Sequence, residues 1–247
     1  MTVARRLVVN ADDFERSYAV NEGIARAYDS GIVTSASLMV RWPAILDAVE
    51  LAHARPGLGL GLHVDLGEWA FVDGAWRAVY EVGDGSPREL ERAVDDQLAR
   101  FDELVGRPPT HLDSHQHVHL RDPARALLER RSEELGVPLR GVTSGVVHRG
   151  AFYGQDGEGA PYPEGITVGR LVELIGESGP GLNEIACHPG VAESQPWSVY
   201  DVERRRELAV LCDPVVAAAV QAAGVELCTF AAAVEAPGGE TSTAEVT

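Results

Sequence analysis

Four of the eight histidines in this chain fall within the nine residues HLDSHQHVH, at positions 111–119. If this segment is a strand, its polar side chains share one face, because alternate residues point the same way. That set is His111, Asp113, His115, His117 and His119. If it turns helical instead, His111, His115 and His119 stack at i, i+4, which also suits metal ligation. A metal ion would satisfy several such groups at once, whereas a solvated histidine-rich turn is the alternative.

One ion cannot take four histidines and keep a position open for substrate, so we expect one or two of them to be ligands. Two adjacent carboxylates, Asp12 and Asp13, directly follow the apolar run LVVNA. Adjacent side chains of an extended segment point opposite ways, which indicates a division of labour. One carboxylate would bind the ion and the other would act as general base on a water that the ion carries. The alternative is a turn or a helix N-cap.

Two further histidines stand at the ends of apolar runs. His63, in GLGLHV, is a third candidate ligand, although a lone histidine there is commonly a satisfied core residue. Asp65 follows two residues later and is a candidate to orient a ligand or to contact substrate. His188, in IACHPG, is either a general acid or a capped turn histidine. Together these residues predict one carboxylate and two imidazoles around one divalent ion, an arrangement typical of metal-assisted hydrolysis of an acyl bond.

Short apolar runs alternate with helical patterns, which predicts βαβ units and a parallel sheet. The predicted strands are 6–10, 35–40, 58–64, 110–115, 137–142, 182–188 and 225–230. The predicted helices are 21–30 with Asn21 as its cap, 42–54, 87–105, 123–135, 168–178 and 202–223. Residues 67–86 are predicted to be irregular, and residues 145–164 are predicted to be a long insertion rich in glycine and tyrosine. With 247 residues, close to the roughly 250 that a barrel needs, the pattern favours a (β/α) barrel, complete or incomplete, over an open sheet.

In a (β/α) barrel the functional residues lie at the carboxyl ends of the strands. The segments NADD, GLHVD, HLDSHQH and CHPG all occupy such ends. This coincidence predicts that they meet at one site. We expect one catalytic domain over residues 1–235 and a disordered tail over 236–247, because the tail lacks periodicity.

The composition limits the partners and the compartment. The net charge is −17, from 38 acidic and 21 basic residues, which argues against nucleic acid or anionic membranes. A neutral or cationic small ligand fits better. The three cysteines, Cys187, Cys212 and Cys228, are odd in number and widely spaced, which indicates no disulfide framework. With no signal-peptide or membrane-helix pattern, we expect a soluble cytoplasmic protein; a homodimer is the commonest oligomer.

The motifs LVVNADDF, GIVTSASLMV, GLHVDLG, THLDSHQHVH, AFYGQ and ACHPG occur in order between residue 7 and about residue 190. Together they resemble the YdjC-like carbohydrate deacetylases, which include chitooligosaccharide deacetylase. The resemblance implies a distorted (β/α) barrel. It also implies that a divalent ion assists removal of an acetyl group from a small N-acetylated sugar or an oligosaccharide.

The resemblance assigns roles to individual positions. It implies that Asp12 is the catalytic base and that His188 is the general acid. It implies three metal ligands, namely Asp13, His63 and His115. Asp113 and His117 match positions near the site. Mg²⁺ is assigned in some members of the family, while two imidazoles and one carboxylate suit Zn²⁺ at least as well.

Two segments depart from the family pattern. Glycine usually follows NADDF, but this chain has Glu15 and then Arg16, which affects sugar recognition or the path of the loop. The segment 67–86 carries Trp69 and Trp76, which either stack on sugar rings or pack over the barrel. Two other classes compete with a deacetylase. One is a metal-dependent phosphoesterase on a related barrel, and the other is a non-catalytic protein that binds sugar or metal.

Overall fold

The computed structural model describes residues 3–191 and 200–235. The strands are β1 (Arg5–Phe14), β2 (Ser35–Leu38), β3 (Gly59–Val64), β4 (Gly67–Val72), β5 (Ala75–Glu81), β6 (Leu112–Ser114), β7 (Val146–Arg149), β8 (Gly181–Cys187) and β9 (Glu226–Leu227). The helices are α1 (Tyr18–Ser30), α2 (Ile45–His53), α3 (Pro87–Val105), α4 (Ala124–Leu135), α5 (Val168–Gly176), α6 (Val202–Leu211), α7 (Pro214–Ala222) and α8 (Phe230–Glu235). Two 3-10 turns cover His115–Leu120 and Pro163–Ile166. The predicted tail, 236–247, lies outside the described residues.

Seven of the described strands form one parallel sheet in the order β6-β3-β2-β1-β8-β7, with β9 beside β1. The central strand β1 is buried on both faces, which explains its continuous apolar run. Beyond β6, the strand predicted over 137–142 is reduced to a single bridge between Leu112 and Leu139. In the described part of the chain, β6 and β7 therefore end the sheet without pairing with each other. The predicted α/β fold with an incomplete barrel is confirmed.

Helix α3 shows how the sequence specifies the outer layer. Its predicted bounds, 87–105, are confirmed. Ser86 caps it by accepting a hydrogen bond from the backbone N–H of Glu89 at 3.2 Å, and Gly106 ends it in the left-handed conformation. The apolar stripe faces the sheet, with Val94 and Phe101 fully buried. Among the described helices, none is both long and apolar enough to cross a lipid bilayer.

Helix α1 begins earlier than predicted. Its cap is Ser17, whose hydroxyl accepts a hydrogen bond from the backbone N–H of Val20 at 3.1 Å. The prediction that Asn21 is the cap is therefore wrong. Asn21 is buried inside the helix, where its side-chain oxygen accepts a hydrogen bond from the backbone N–H of Glu15 at 2.7 Å. The amide thus fixes the loop that follows β1.

The helix predicted over 202–223 divides into α6 and α7. Asp213 starts the second helix by accepting a hydrogen bond from the backbone N–H of Val215 at 2.8 Å. Pro214 takes the first position of α7, where its missing N–H is not needed. The sequence DP inside an apolar pattern was the signal for this break.

The segment predicted to be irregular over 67–86 contains an antiparallel hairpin, β4–β5. Its turn is Asp73–Gly74, and both residues have positive φ, 52° and 76°. Two such residues between paired strands form a type I′ turn, for which Asp-Gly is a favoured sequence. The predicted insertion, 145–164, contributes β7, which extends the main sheet beside β8.

The contact between α1 and the loop after β8 is testable, because a Cβ added to Gly23 would lie 2.3 Å from Gly190 Cα. Gly23→Ala should push the loop away and lower the free energy of unfolding by about 1–3 kcal/mol. The matched control is Gly176→Ala in α5, where a Cβ would meet nothing within 4 Å. That change should be neutral or stabilising by about 0.5–1 kcal/mol. Urea unfolding measures both, and an unchanged stability of Gly23→Ala would contradict the packing.

Candidate active site

The carboxyl ends of β1, β3 and β6 bring the predicted polar residues to one edge of the sheet. Asp12 and Asp13 lie in β1 where its register with β2 shifts between Ala11 and Phe14. Asp13 has a φ of 65°, a left-handed conformation that is uncommon for a residue with a side chain. This conformation breaks the alternation of the strand. Both adjacent carboxylates therefore face one cluster, and each lies within reach of His63.

Asp13, His63 and His115 form a buried group with the geometry of a cation site. Asp13 Oδ1 lies 3.0 Å from His115 Nδ1 and 3.4 Å from His63 Nε2, and the three donor atoms lie within 4.8 Å of one another. Two ligand atoms about 2.1 Å from a tetrahedral ion would stand ~3.4 Å apart. The residues therefore fit one divalent ion. The sequence prediction that these three side chains converge agrees with this geometry.

Asp113 holds His63 in the orientation that a metal ligand needs. His63 Nδ1 lies 2.7 Å from Asp113 Oδ1, so Nδ1–H is the donor and Nε2 is left facing Asp13. Asp113 Oδ2 accepts a hydrogen bond from the Ser37 hydroxyl at 2.6 Å. Burial lowers the pKa of His63, but Asp113, Asp13 and Asp12 outweigh it and raise the pKa to about 10. The same carboxylates also attract a metal cation, which would have to displace the proton on His63 Nε2 in order to bind there.

Asp12 is held beside this cluster by Arg140. The fully buried guanidinium donates to Asp12 Oδ2 at 2.5 Å and to Asp12 Oδ1 at 2.7 Å. It also contacts Asp113 at 2.7 Å and donates to Glu184 at 2.6 Å. Burial raises the pKa of Asp12, but Arg140 and His63 together outweigh it and lower the pKa to about 2. Sequence reasoning missed Arg140, although an arginine inside the predicted strand 137–142 was a signal.

A second buried arginine, Arg204 of α6, takes the other oxygen of Asp13. Its guanidinium donates to Asp13 Oδ2 at 2.5 Å and lies 5.6 Å from the centre of the Tyr200 ring. Burial raises the pKa of Asp13, but the charges of Arg204 and His115 outweigh it and hold the pKa well below its usual range. Because Arg204 occupies Oδ2, Asp13 offers one oxygen, Oδ1, to an ion. Nothing in the sequence around Arg204 pointed to this role.

His188 stands across from Asp12, with its Nε2 3.8 Å from Asp12 Oδ2. Its backbone N–H donates to Glu207 at 2.5 Å, and the Tyr200 hydroxyl also donates to that carboxyl group. Burial lowers the pKa of His188 to about 4 and raises the pKa of Glu207 to about 8. The position of His188 fits the predicted general acid. Glu207, an acid with no strand-end motif around it, was not predicted.

The four histidines of residues 111–119 lie in different environments. Of these four, only His115 lies in the group formed with Asp13 and His63. His119 is structural: its ring binds the Ser114 hydroxyl at 2.7 Å and the Arg140 carbonyl oxygen at 3.0 Å. His111 is buried, with its ring centre 4.2 Å from that of Phe230. These two histidines satisfy core polar groups rather than bind an ion.

The alternative in which residues 111–119 turn helical and stack three histidines is wrong, because the 3-10 turn after β6 contains two left-handed residues. Gln116 has a φ of 50° and His117 a φ of 53°. The ring of His117 lies 5.6 Å from that of His148, and burial, followed by the charge of Arg140, lowers the pKa of His117 to about 3. His117 is thus a neutral side chain near Arg140, and its predicted contact with substrate stays a prediction.

Asp65 serves the hairpin β4–β5 rather than the ligands. It pairs with Arg41 at 2.6 Å and accepts a hydrogen bond from the Tyr80 hydroxyl at 2.9 Å. The hairpin also contacts the 3-10 turn that begins with the predicted ligand His115. The side-chain amide of Gln116 accepts a hydrogen bond from the backbone N–H of Trp69 and donates one to its carbonyl oxygen, both at 2.9 Å. The structure therefore places Asp65 as an anchor of the hairpin base.

The two residues that replace the family glycine are both buried. Glu15 has a φ of 92°, and its carboxylate accepts hydrogen bonds from the backbone N–H groups of Arg41 and Trp42. Arg16 donates to both oxygens of Glu68 at 2.8 Å, and its Nη1 lies 3.4 Å from His115 Nε2. Glu15 keeps the positive φ that suits glycine. Arg16 links the hairpin to a predicted metal ligand.

The role of Arg140 predicts a large and specific loss of stability. Arg140→Met leaves three buried carboxylates without their cation and should lower the free energy of unfolding by about 3–5 kcal/mol. The matched control is Arg131→Met, because Arg131 also contacts three acids, Asp95, Glu134 and Glu91, at 2.7–3.2 Å but on the surface. That change should cost less than about 1 kcal/mol. Equal losses in urea unfolding would contradict the central position of Arg140.

The raised pKa of Glu207 predicts how stability depends on pH. From pH 4.5, its ordinary pKa, to about pH 8 the folded protein keeps a proton that the unfolded chain releases. Glu207 should therefore contribute a fall in the free energy of unfolding as the pH rises through this window. Buried histidines such as His188 and His117, whose pKa values are lowered, contribute a rise below about pH 6.5 in both proteins. Glu207→Gln cannot ionise, so its free energy of unfolding relative to wild type should increase from pH 4.5 to about pH 8. Burial also raises the pKa of Glu15 to about 8. Glu15 therefore contributes a fall in the free energy of unfolding over the same pH range in both proteins. Parallel profiles in urea unfolding would contradict this prediction.

Comparison with known proteins identifies the family. A family model described as YdjC-like protein matches residues 6–222. A carbohydrate deacetylase from Geobacillus stearothermophilus is 35% identical, with 92% of this chain and 97% of that protein covered. A chitooligosaccharide deacetylase from Serratia marcescens is 32% identical, with 91% and 97% covered. A crystal structure from Enterococcus faecalis V583, provisionally named a cellobiose-phosphate cleavage protein, has a TM-score of 0.75 at 23% identity, with 93% and 98% covered. The chain belongs to the YdjC-like family, as its motifs indicate.

Proposed function

We propose that this protein is a carbohydrate deacetylase, a hydrolase that cleaves the amide C–N bond of an N-acetylated sugar and releases acetate. One observation carries the proposal: two adjacent buried carboxylates have different partners at one site. Asp13 shares a cation-sized cluster with two histidines, while Arg140 holds Asp12 beside it. The names of the relatives, carbohydrate deacetylase and chitooligosaccharide deacetylase, support an N-acetylglucosamine oligosaccharide as the substrate.

Asp13 Oδ1, His63 Nε2 and His115 Nδ1 would hold one divalent cation. When bound, such a cation polarises the acetyl carbonyl and lowers the pKa of a water molecule. Two imidazoles and one carboxylate are donors that suit Zn²⁺ and related transition metals, whereas Mg²⁺, the ion of some family members, prefers oxygen. We therefore favour a transition metal in this site.

Asp12 acts as the base that takes the proton of the attacking water. Arg140 keeps it ionised and fixes both of its oxygens, so the carboxylate is ready to accept a proton and cannot rotate away. Its low pKa makes the protonated form short-lived. The proton should therefore move on within the same turnover.

His188 returns a proton to the leaving amine. Burial keeps it neutral at rest, so it has to gain a proton before it can act as an acid. Asp12 is the acid placed to supply that proton: its Oδ2 lies 3.8 Å from His188 Nε2, so the two groups have to approach to about 3 Å for the transfer. Glu207 accepts the backbone N–H of His188 and holds the residue in place during the transfer.

The two competing classes fit less well. A phosphoesterase needs positive charge for the phosphate, but Arg140, Arg204 and Arg16 are each paired with carboxylates. A non-catalytic binding protein has no use for Asp12 beside the cation site, where burying its charge is costly. A cytoplasmic location and a homodimer stay predictions.

The division of labour between the two aspartates is directly testable. Asp12→Asn should leave metal affinity within about threefold of wild type and lower acetate release by about 10²–10⁴, because it removes the base and keeps the ligands. Asp13→Ala and His115→Ala should each lose metal affinity and acetate release together. Titration calorimetry with Zn²⁺ and an acetate assay on a chitooligosaccharide measure both quantities.

The control is His53→Ala, an exposed histidine of α2, which should keep both properties. Normal turnover by Asp12→Asn would show that the base is misassigned. Full acetate release by thoroughly chelated wild-type protein would contradict the need for a cation.

A further inference from the structure

The hairpin β4–β5 extends the candidate active site, because its base contacts the start of the 3-10 turn His115–Leu120, which carries the predicted ligand His115. Arg16 lies between Glu68, at the start of the hairpin, and His115. Gln116, the residue after His115, exchanges two hydrogen bonds with the backbone of Trp69. These contacts fix the base of the hairpin beside the proposed ligand His115.

One face of the hairpin is aromatic. Phe71 pairs with Trp76 across the strands, and Trp69 lies two residues before Phe71, so the three side chains share a face. The ring of Trp69 folds back over Gly67, where a Cβ would lie 2.9 Å from Trp69 Cη2. Phe71 meets Trp76 edge to face at 5.6 Å, which holds the indole in place. Trp76 nevertheless stays 52% exposed.

This aromatic face lies beside the segment 150–162, which carries two tyrosines. A Cβ on Gly159 would lie 4.0 Å from Phe71 Cβ, so the hairpin abuts the segment 150–162. That segment lines a groove of about 810 Å³, with Tyr153 and Tyr162 among the lining residues. The ring of Tyr153 lies 5.3 Å from that of His188. The segment therefore approaches the predicted acid at Tyr153 and the aromatic face of the hairpin at Gly159.

We propose that Trp76, backed by Phe71, binds a sugar ring of an oligosaccharide beyond the unit that is deacetylated. The proposal rests on the proposed deacetylase function and names its substrate as a chain rather than a single sugar. The apolar face of a pyranose ring matches the flat, exposed face of an indole. Tyr153 and Tyr162 would contact the rings between Trp76 and the reacting unit.

The electrostatics favour a neutral sugar chain as the occupant. The protein carries a net charge of −17, and Asp156 and Glu164 line the groove. An anionic polysaccharide would be repelled, whereas acetylated amino sugars carry no charge. A second copy of this chain would cover the same face, and the experiment below separates the two occupants.

The test compares affinity for one sugar and for a chain. In the Asp12→Asn background, Trp76→Leu removes the aromatic ring, Trp76→Tyr keeps one, and Arg77→Leu changes the opposite face of the hairpin. Titration calorimetry measures binding of N-acetylglucosamine and of its β-1,4-linked tetramer. Trp76→Leu should weaken the tetramer about tenfold, while Trp76→Tyr stays within about threefold and Arg77→Leu is unchanged. Affinity for the single sugar should be the same in all of them.

The outcomes separate this proposal from the proposed function. Unchanged tetramer affinity in Trp76→Leu overturns the subsite, and so does failure of the Asp12→Asn parent to bind the tetramer. If Trp76→Leu converts a dimer into a monomer in sedimentation and leaves tetramer affinity unchanged, a second copy is the occupant. The acetate assay on otherwise wild-type protein is independent. Ring-dependent tetramer binding without acetate release supports the subsite and rejects the deacetylase.

Discussion

The site depends on the neutralisation of four buried carboxylates at one edge of the sheet. Arg140 contacts three of them, Asp12, Asp113 and Glu184, and a separate arginine from α6 takes the fourth, Asp13. A buried acid without a partner costs several kcal/mol, so the two guanidinium groups stabilise the folded protein strongly. Since these ion pairs fix the carboxylates, the proposed ligand Asp13 and the proposed base Asp12 are positioned by the protein itself.

Much of this arrangement follows from the sequence, because parallel strands carry their carboxyl ends to the same edge. The polar motifs after apolar runs indicated that Asp13, His63 and His115 converge, and the structure brings their donor atoms together. The best helix, α3, matches its predicted bounds because a capping serine and a left-handed glycine mark its ends. Helix caps of this kind depend only on residues close together in the chain, so they can be predicted from the sequence before the fold is known.

Partners that lie far apart in the chain could not be read in this way. Arg204 lies 191 residues from Asp13, and Arg140 lies 128 residues from Asp12, so no spacing rule connects them. Local backbone conformation was a second feature that the sequence did not predict. Left-handed residues such as Asp13 and Gln116 turn the chain within one residue and redirect the side chains that follow. The hairpin, by contrast, had a local signal in the dipeptide Asp73–Gly74. It was missed because tryptophan, glycine and charged residues obscured the alternation of polar and apolar side chains along its strands.

The hairpin occupies one uninterrupted stretch of chain between β3 and α3, while the proposed ligands, base and acid come from β1, β3, the turn after β6 and the residue after β8. Its base is joined to fixed points through Asp65 and Gln116. If the hairpin binds the sugar chain as proposed, recognition and chemistry are encoded in separate parts of the gene. A related enzyme could then acquire a different preference for chain length by exchanging this single cassette, provided that the Glu68–Arg16 pair beside His115 is kept. Conversely, grafting this cassette onto a relative would carry the preference with it.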